Sequence, residues 1–436
     1  MSISVKADRT LIRVRGRSRR YLRVELRAPE APARRRPPAN LSFVIDRSGS
    51  MEGPKLEMAR AAVLRAIQGL RPDDRFSVVA YDDKVDVLLP SSLATPAALA
   101  HAERCVNGLQ PGDDTDLCGG WLRGCEQVGL HLSPDALGRC LLLTDGLANH
   151  GIDDPHEIVR HAAGLRERRV ITTTFGVGAD FDEALLSRMA AAGGGNFYFI
   201  EQASSIPEFL AGEVGDLLQV VVPAAALLID ASEGVTVASL NGFPCRRVGS
   251  RWRVELGALV CGQSLDPVLS LTFPEGPVGA VYPVTVSLVD GSLTLETCAQ
   301  EVLRFPSPVD DKRTFETCCS VVFHGGRDED NNRQPHERAV VRRVAALYAA
   351  RSCQEALERN RMGDFEGARR VLETCHRGIV DYVPDDSPTI RRLLDDLVAR
   401  AALYSEDMSP LSRKTAHFGA TLCLTLRPSR PWTSGP

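Results

Sequence analysis

Between residues 41 and 218, short apolar runs alternate with stretches in which apolar residues recur every three or four positions. Residues 41–45 form the first run, a turn containing Gly49 follows, and the next stretch has the spacing of one helical face. The most apolar run is residues 140–144. Because strands and helices alternate in this way, the pattern predicts a doubly wound α/β domain with a largely parallel sheet.

The other elements of this segment follow the same pattern. Residues 76–81 and 85–89 are predicted strands joined in a hairpin at Asp82 and Asp83. The remaining predicted strands are 170–175 and 197–200, and the predicted helices are 97–109, 117–130, 155–168, 182–192 and 205–218.

Short β-type runs lie on both sides of the α/β segment. The N-terminal runs are 3–5, 10–14 and 21–26, and the later ones are 226–230, 235–240, 252–256, 268–273, 281–289 and 293–298. Gly and Pro turns separate them, which is typical of an antiparallel β-sandwich. We expect residues 1–39 and 219–325 to build one sandwich into which the α/β domain, residues 40–218, is inserted.

Helical periodicity returns after the polar stretch at residues 326–335. Residues 336–405 are predicted to form a helical hairpin or bundle, with a turn at Gly363 and Asp364. Only one copy of this unit is visible, so a repeat solenoid is not predicted. Residues 406–436 are interpreted as a C-terminal tail that is loose after Pro428.

Composition narrows the class of protein. A chain of 436 residues with 44% hydrophobic and 25% charged residues is expected to be globular and multidomain. A net charge of -4 does not favour nucleic-acid binding. Residues 1–20 are basic and contain no uninterrupted apolar run, so they are not expected to be a signal peptide. No apolar run elsewhere is long enough to span a membrane. The expectation is a soluble, cytoplasmic protein whose twelve cysteines are reduced and form no zinc ribbon, because no CxxC pair occurs.

Oxygen-bearing side chains lie at three places in the α/β segment: after the first predicted strand, in the loop at 112–116, and after the strand at 140–144. Asp46, Ser48 and Ser50 stand where the first strand opens into its helix, the place where α/β sheets bind ligands. A hard divalent cation prefers oxygen ligands, and one loop cannot surround it. Thr115, in the loop at 112–116, and Asp145, after the strand at 140–144, supply donors from other strand ends.

These five residues resemble the metal-ion-dependent adhesion site of von Willebrand factor A domains. The family pattern is DxSxS, then a Thr in a Gly-containing loop, then an Asp after the central strand. The resemblance implies that Ser48, Ser50 and Thr115 touch the metal directly and that Asp46 and Asp145 act mainly through water. It also implies an open coordination position for an Asp or Glu carboxylate of a protein partner. The expected ion is Mg²⁺, with Mn²⁺ or Ca²⁺ as alternatives.

The resemblance covers about residues 40–218, and the whole arrangement of domains resembles intracellular bacterial proteins of this superfamily. An alternative for Ser48 and Ser50 is that they only cap the following helix. Asp113, Asp114 and Asp116 are interpreted as a solvated acidic loop, with a secondary cation site as the alternative, and Arg47 is assigned no role.

A binding module is favoured over an enzyme. His150, His156 and His161 follow Asp145 but do not share a helical face, and are expected to be exposed. No GxxxxGK[ST] motif occurs. The prediction is therefore a metal-dependent interaction module, a scaffold or adaptor of an intracellular complex. A regulatory partner of an AAA+ ATPase and a metal-assisted hydrolase remain the alternatives.

Overall fold

The computed structural model describes residues 1–30, 37–133, 136–290, 318–383 and 387–425. These residues fall into two compact units. The first lies within Arg35–Val220 and Ser409–Phe418, and the second lies within Met1–Arg34, Val221–Met408 and Gly419–Pro436. The predicted strand at 293–298 and the tail after Pro428 lie outside the described residues.

The described strands are β1 Ser2–Ala7, β2 Leu11–Arg13, β3 Ser18–Arg27, β4 Ala39–Asp46, β5 Arg75–Tyr81, β6 Val85–Leu93, β7 Leu137–Thr144, β8 Val170–Val177, β9 Gly194–Ile200, β10 Val220–Ala231, β11 Thr236–Ser239, β12 Cys245–Val248, β13 Arg251–Val260, β14 Ser264–Leu265, β15 Val268–Phe273, β16 Val281–Asp290 and β17 Cys318–Gly326. The described α-helices are α1 Pro54–Gln68, α2 Pro96–Asn107, α3 Leu117–Gly129, α4 Pro155–Glu167, α5 Glu183–Gly193, α6 Ile206–Leu217, α7 Asp328–Arg333, α8 Arg338–Arg361, α9 Phe365–Tyr382, α10 Pro388–Leu403 and α11 Pro410–Thr425.

The first unit is built on one six-stranded sheet with the order β6-β5-β4-β7-β8-β9. All neighbouring pairs are parallel except β5 and β6, which form the predicted hairpin. Every residue of β4 and of β7 is buried, as expected for central strands covered on both faces. The α/β fold with a mixed sheet and flanking helices is confirmed.

Successive side chains of β4 point into two different hydrophobic clusters. Leu41, Phe43 and Ile45 pack in a cluster with residues of α1, whereas Val44 packs in a cluster with residues of α3. This alternation follows from the two-residue period of a strand. It places helices on both faces of the sheet and leaves the carboxyl ends of β4 and β7 side by side.

In the second unit, strands from before and after the α/β segment pair with one another. β3 lies between β1 and β15, and β16 lies between β10 and β17. The two sheets share one hydrophobic cluster that includes Leu22, Ile229, Leu271 and Val286. β12, β14 and β17 are not predicted by the sequence analysis.

Two helices lie where the sequence predicts none. α7 falls in the polar stretch at 326–335, and α11 falls in the stretch interpreted as a tail. The side chain of Lys414 is buried in α11, where it donates to the Phe181 carbonyl at 2.6 Å and pairs with Glu183 at 2.8 Å. A charged residue on the buried face interrupts the apolar periodicity, which is why the pattern hides this helix.

Candidate metal centre

The centre lies at the carboxyl ends of two adjacent parallel strands. Asp46 is the last residue of β4, and Asp145 directly follows β7. The register pairs Ile45 with Leu143, so both carboxylates reach the same edge of the sheet. Both side chains are fully buried.

The carboxylate of Asp46 is held by three donors. The Ser48 backbone N–H donates to Oδ1 at 2.8 Å, while the Thr144 hydroxyl and the Tyr81 hydroxyl donate to Oδ2 at 2.6 and 3.4 Å. Burial raises the pKa of Asp46 to about 6, and the charge of Asp145 adds to the rise. The hydrogen bonds from Ser48 and Thr144 act in the opposite direction. A buried carboxylate in this position is stabilised by a nearby cation.

The two serine hydroxyls of the DxSxS motif lie next to each other. The Ser48 and Ser50 Oγ atoms are 3.2 Å apart, and the Ser50 hydroxyl donates to Asp145 Oδ1 at 2.7 Å. Adjacent ligands of an octahedral Mg²⁺ are about 3 Å apart, since each lies about 2.1 Å from the ion. Because the proton of Ser50 points to Asp145, Ser48 is the donor in the contact between the two hydroxyls, and one lone pair of the Ser50 oxygen remains available to a cation. The residues present therefore fit the ion.

The alternative interpretation of the serines as helix caps is wrong. α1 begins at Pro54 with Gly53 as its N-cap and has no side-chain capping hydrogen bond. Ser48 precedes a short 3-10 turn, Gly49–Met51, and does not cap it through its side chain. Neither hydroxyl is used to satisfy the amides at these two helix starts.

Thr115 is buried, in a loop tied to the DxSxS motif by backbone hydrogen bonds. Gly112 N–H donates to the Arg47 carbonyl at 2.7 Å, and Gly49 N–H donates to the Asp113 carbonyl at 3.1 Å. A Cβ placed on Gly146 would lie 3.4 Å from Thr115 Oγ1 and 3.8 Å from Ser50 Oγ. Gly146 thus leaves open the space that these two hydroxyls face.

Several supporting residues were missed by the sequence analysis. Asn149 accepts the Thr115 backbone N–H at 2.8 Å and donates its own N–H to the Thr115 carbonyl at 3.3 Å. Thr144 and Tyr81 hold Asp46 as described. Thr144 could have been noticed from its place beside Asp145, but the partner of Asn149 becomes visible only in the folded loop.

Arg47, which the sequence analysis leaves without a role, braces the Gly112 loop. Its guanidinium bonds to Asp82 at 3.0 Å and to Asp86 at 2.6 Å. A Cβ on Gly112 would lie 1.9 Å from Asp82 Oδ2, so the pair fits only because Gly112 has no side chain.

Lys55, in the first turn of α1, also reaches the centre. Its ammonium group is hydrogen-bonded to Asp145 Oδ2 and lies 3.3 Å from the Ser50 carbonyl oxygen. Both oxygens of Asp145 therefore have donors, one from the Ser50 hydroxyl and one from Lys55.

The other candidate residues lie apart from these donors. Asp113 and Asp114 are exposed, and Asp116 caps α3 by accepting the Gly119 N–H at 2.9 Å. His150 and His156 are exposed as expected, whereas His161 is half-buried. Within the described ranges, no group of three or more His, Cys, Asp or Glu residues could hold a metal.

No helix in the described part of the chain is long and apolar enough to cross a membrane. Eleven cysteines are free thiols in the described residues, and Cys118, Cys125 and Cys140 are buried. The eight-residue strand β7 that leads to Asp145 buries Cys140 beside apolar residues of α3.

Comparison with known proteins agrees with this fold. Residues 40–211 match the family model of the von Willebrand factor type A domain. The uncharacterized protein YfbK of Escherichia coli is 31% identical over 202 residues, which cover 46% of this chain and 35% of that protein. The chain thus spans about a third of the length of this curated relative.

Two solved structures resemble the chain over nearly its whole length. A von Willebrand factor type A protein from Catenulispora acidiphila has a TM-score of 0.66 at 19% identity and covers 90% of this chain and 89% of its own. The ArnB paralog VWA2 from Sulfolobus acidocaldarius has a TM-score of 0.59 at 18% identity and covers 97% of each chain. At such identities the likeness shows the fold alone. The segment that the family model matches, residues 40–211, therefore has the α/β fold of a von Willebrand factor type A domain.

Proposed function

We propose that this chain is a metal-dependent protein-interaction module. Ser48, Ser50 and Thr115 would contact a divalent cation, and Asp46 and Asp145 would act mainly through water. The observation that carries the proposal is the hydrogen bond from the Ser50 hydroxyl to Asp145, because it turns the Ser50 lone pairs away from the carboxylate. Hard oxygen donors favour Mg²⁺, with Mn²⁺ or Ca²⁺ as alternatives.

A bound cation would supply positive charge for a partner carboxylate. The three direct donors are neutral hydroxyls, so they do not cancel that charge. Ser50 is exposed at the surface, and an Asp or Glu side chain of a partner is proposed to approach the centre there. The module is proposed to serve as a scaffold or adaptor of an intracellular complex, with regulation of an AAA+ ATPase as one form of that role.

We propose a binding role in preference to metal-assisted hydrolysis. Hydrolysis needs an acid or base free to exchange protons with a substrate. The polar groups around the donors are instead engaged in holding them, as Tyr81 and Thr144 hold Asp46 and Asn149 holds Thr115. Phosphatase and peptidase screens with Mg²⁺ or Mn²⁺ test this, and metal-dependent turnover abolished by Ser48→Ala would favour the hydrolase.

The surroundings of the domain complete the proposal. The flanking strands are proposed to form a β-sandwich that carries the inserted domain, and α8 and α9 a helical hairpin. Buried free thiols support a cytoplasmic, reducing location. An intracellular bacterial source remains part of the proposal.

Affinity capture tests the interaction. The full chain and a Ser48→Ala, Ser50→Ala variant are used as bait, each with Mg²⁺ and with chelator. Ser92→Ala is the matched control, because Ser92 lies far from the proposed centre. Ser92 pairs with Phe76, whereas Asp46 pairs with Tyr81, five residues farther along β5. The partner should bind wild type and Ser92→Ala only with Mg²⁺, and the double variant in neither condition. Equal capture throughout would place recognition elsewhere, on the helices between residues 337 and 405.

A further inference from the structure

Lys55 places a positive charge against a fully buried carboxylate of the proposed centre. Its side chain is 27% exposed, whereas that of Asp145 is 0% exposed. The amine is also close to the Ser50 carbonyl, and its stem lies 3.7 Å from where a Cβ of Gly178 would stand. An exposed ion pair contributes little, but this pair has one partner removed from water, where charges interact more strongly.

The charges can be counted from the hydrogen bonds. Asp46 accepts from three donors and Asp145 from two, which is the pattern of ionised carboxylates. Two carboxylates and one ammonium sum to -1 (-2 plus 1). Adding a divalent cation brings the centre to +1. Without Lys55 the same centre would carry -2 when empty and 0 when loaded.

The neighbouring cation does not alter this count. Arg47 is paired with Asp82 and Asp86, which lie at the ends of β5 and β6 and not among the proposed metal donors. Asp113 and Asp114 are exposed and screened by solvent.

We propose that Lys55 is a tethered cation that sets the charge of the centre, so that the metal binds weakly alone and is completed by an acidic ligand. This inference rests on the proposed function. Lys55 acts through Asp145: it competes with the metal for the negative charge of that carboxylate. It also leaves the loaded centre with one uncompensated positive charge, which an incoming carboxylate neutralises. Lys55 therefore weakens binding of the metal and strengthens binding of the anion.

The test is Mn²⁺ titration of the full chain by calorimetry, in chloride and in acetate at equal ionic strength. Acetate is the probe for a partner carboxylate. Wild type should bind Mn²⁺ more tightly in acetate than in chloride, since linked ligands strengthen each other reciprocally. Lys55→Met should bind Mn²⁺ at least about tenfold more tightly than wild type in chloride, because a like charge is removed from a partly buried site. Its gain in acetate should be smaller than that of wild type.

Controls separate charge from shape. Lys55→Arg retains the charge and should behave like wild type. Arg65→Met removes one positive charge from the same helix, about 15 Å farther along its axis, and should leave both measurements unchanged. Acetate also binds Mn²⁺ in solution, and the Arg65→Met titrations in the two buffers show how much this lowers the apparent affinity. If Lys55→Met does not fold, Lys55→Gln takes its place, since the amide can still donate to Asp145.

The outcomes distinguish the two proposals. If wild type binds Mn²⁺ and the uncharged variants bind it equally or more weakly, Lys55 only positions Asp145 and the inference is overturned while the metal site stands. An acetate gain that is the same with and without the Lys55 charge also overturns it. If wild type binds no Mn²⁺ in either buffer, the proposed function itself fails, and the inference with it.

Discussion

Replacing Asp46 with asparagine should make the metal-free chain more stable at neutral pH. The carboxylate is fully buried, and burial raises its pKa from 3.8 to about 6. The folded chain therefore holds the proton more tightly than the unfolded chain. Below about pH 4, Asp46 is protonated in both states, and its contribution to stability is fully present. Between about pH 4 and pH 6 the unfolded chain loses the proton while the folded chain keeps it, so stability falls as the pH rises, and the contribution is lost above pH 6.

The magnitude follows from this shift. A difference of about two pKa units corresponds to about 3 kcal/mol of unfolding free energy lost above pH 6. The asparagine variant would avoid this loss, but its amide nitrogen cannot accept the hydrogen bond that one of the Asp46 oxygens accepts, at a cost of about 1 kcal/mol. The expected net effect of Asp46→Asn in chelator is a gain of about 2 kcal/mol at pH 7.5 and a loss of about 0.5 kcal/mol at pH 4, where Asp46 is largely protonated in the folded chain.

Guanidinium denaturation with chelator, from pH 4 to 8, measures the difference. Trp121 is fully buried in the α/β unit, so its fluorescence reports unfolding of that unit in a background where Trp252 and Trp432 are replaced by phenylalanine. Glu52→Gln makes the same chemical change at an exposed position and serves as the control. An asparagine variant that is less stable than wild type at pH 7.5, or whose difference does not change with pH, would refute the electrostatic argument.

Three further predictions concern other parts of the chain. Thr115→Ala removes one proposed ligand, so the Mn²⁺ affinity measured by calorimetry should fall at least about tenfold. The thermal unfolding temperature in chelator should stay near that of wild type. Unchanged affinity would mean that Thr115 does not bind the ion. A fragment of residues 40–319 lacks the strand that pairs with β15 and should associate in sedimentation experiments, since it exposes a sheet edge; a stable monomer would contradict this. Lys414→Met leaves the buried Glu183 without its cation and should cost about 3–5 kcal/mol, with residues 409–418 opening to protease. Adding Glu183→Leu should recover part of that loss, and no recovery would mean that the ion pair is not the cause.

The placement of the five candidate residues was predictable because it depends on local sequence and on one rule of topology. Asp46 and Asp145 follow apolar runs long enough to be central strands, and parallel strands bring their carboxyl ends to one edge. Ser48 and Ser50 follow from the turn after the first run. Thr115 could be placed only through the resemblance to a known family, since nothing in its own loop fixes where that loop lies.

The supporting contacts were not predictable, because they join residues far apart in sequence through side-chain geometry. Lys55 and Asp145 are 90 positions apart, and Thr115 and Asn149 are 34 apart. A lysine in the first turn of an amphipathic helix is ordinarily solvated, and its sequence neighbours do not indicate a buried partner. For the same reason α11 was missed, since its buried Lys414 depends on Glu183 in another helix.

The electrostatics of Asp46 argue for a cation at this edge of the sheet. A neutral asparagine could keep the Ser48 N–H bond through its one carbonyl oxygen, with its amide facing the Thr144 and Tyr81 hydroxyls, without the cost of a buried charge. A carboxylate at that position is therefore a poor choice for holding the fold and a good one for balancing a cation. Asp46→Asn should accordingly separate the two properties, raising stability without metal and abolishing the further stabilisation that Mg²⁺ gives wild type. If Mg²⁺ stabilises both proteins equally, Asp46 does not balance the ion and its buried charge needs another explanation.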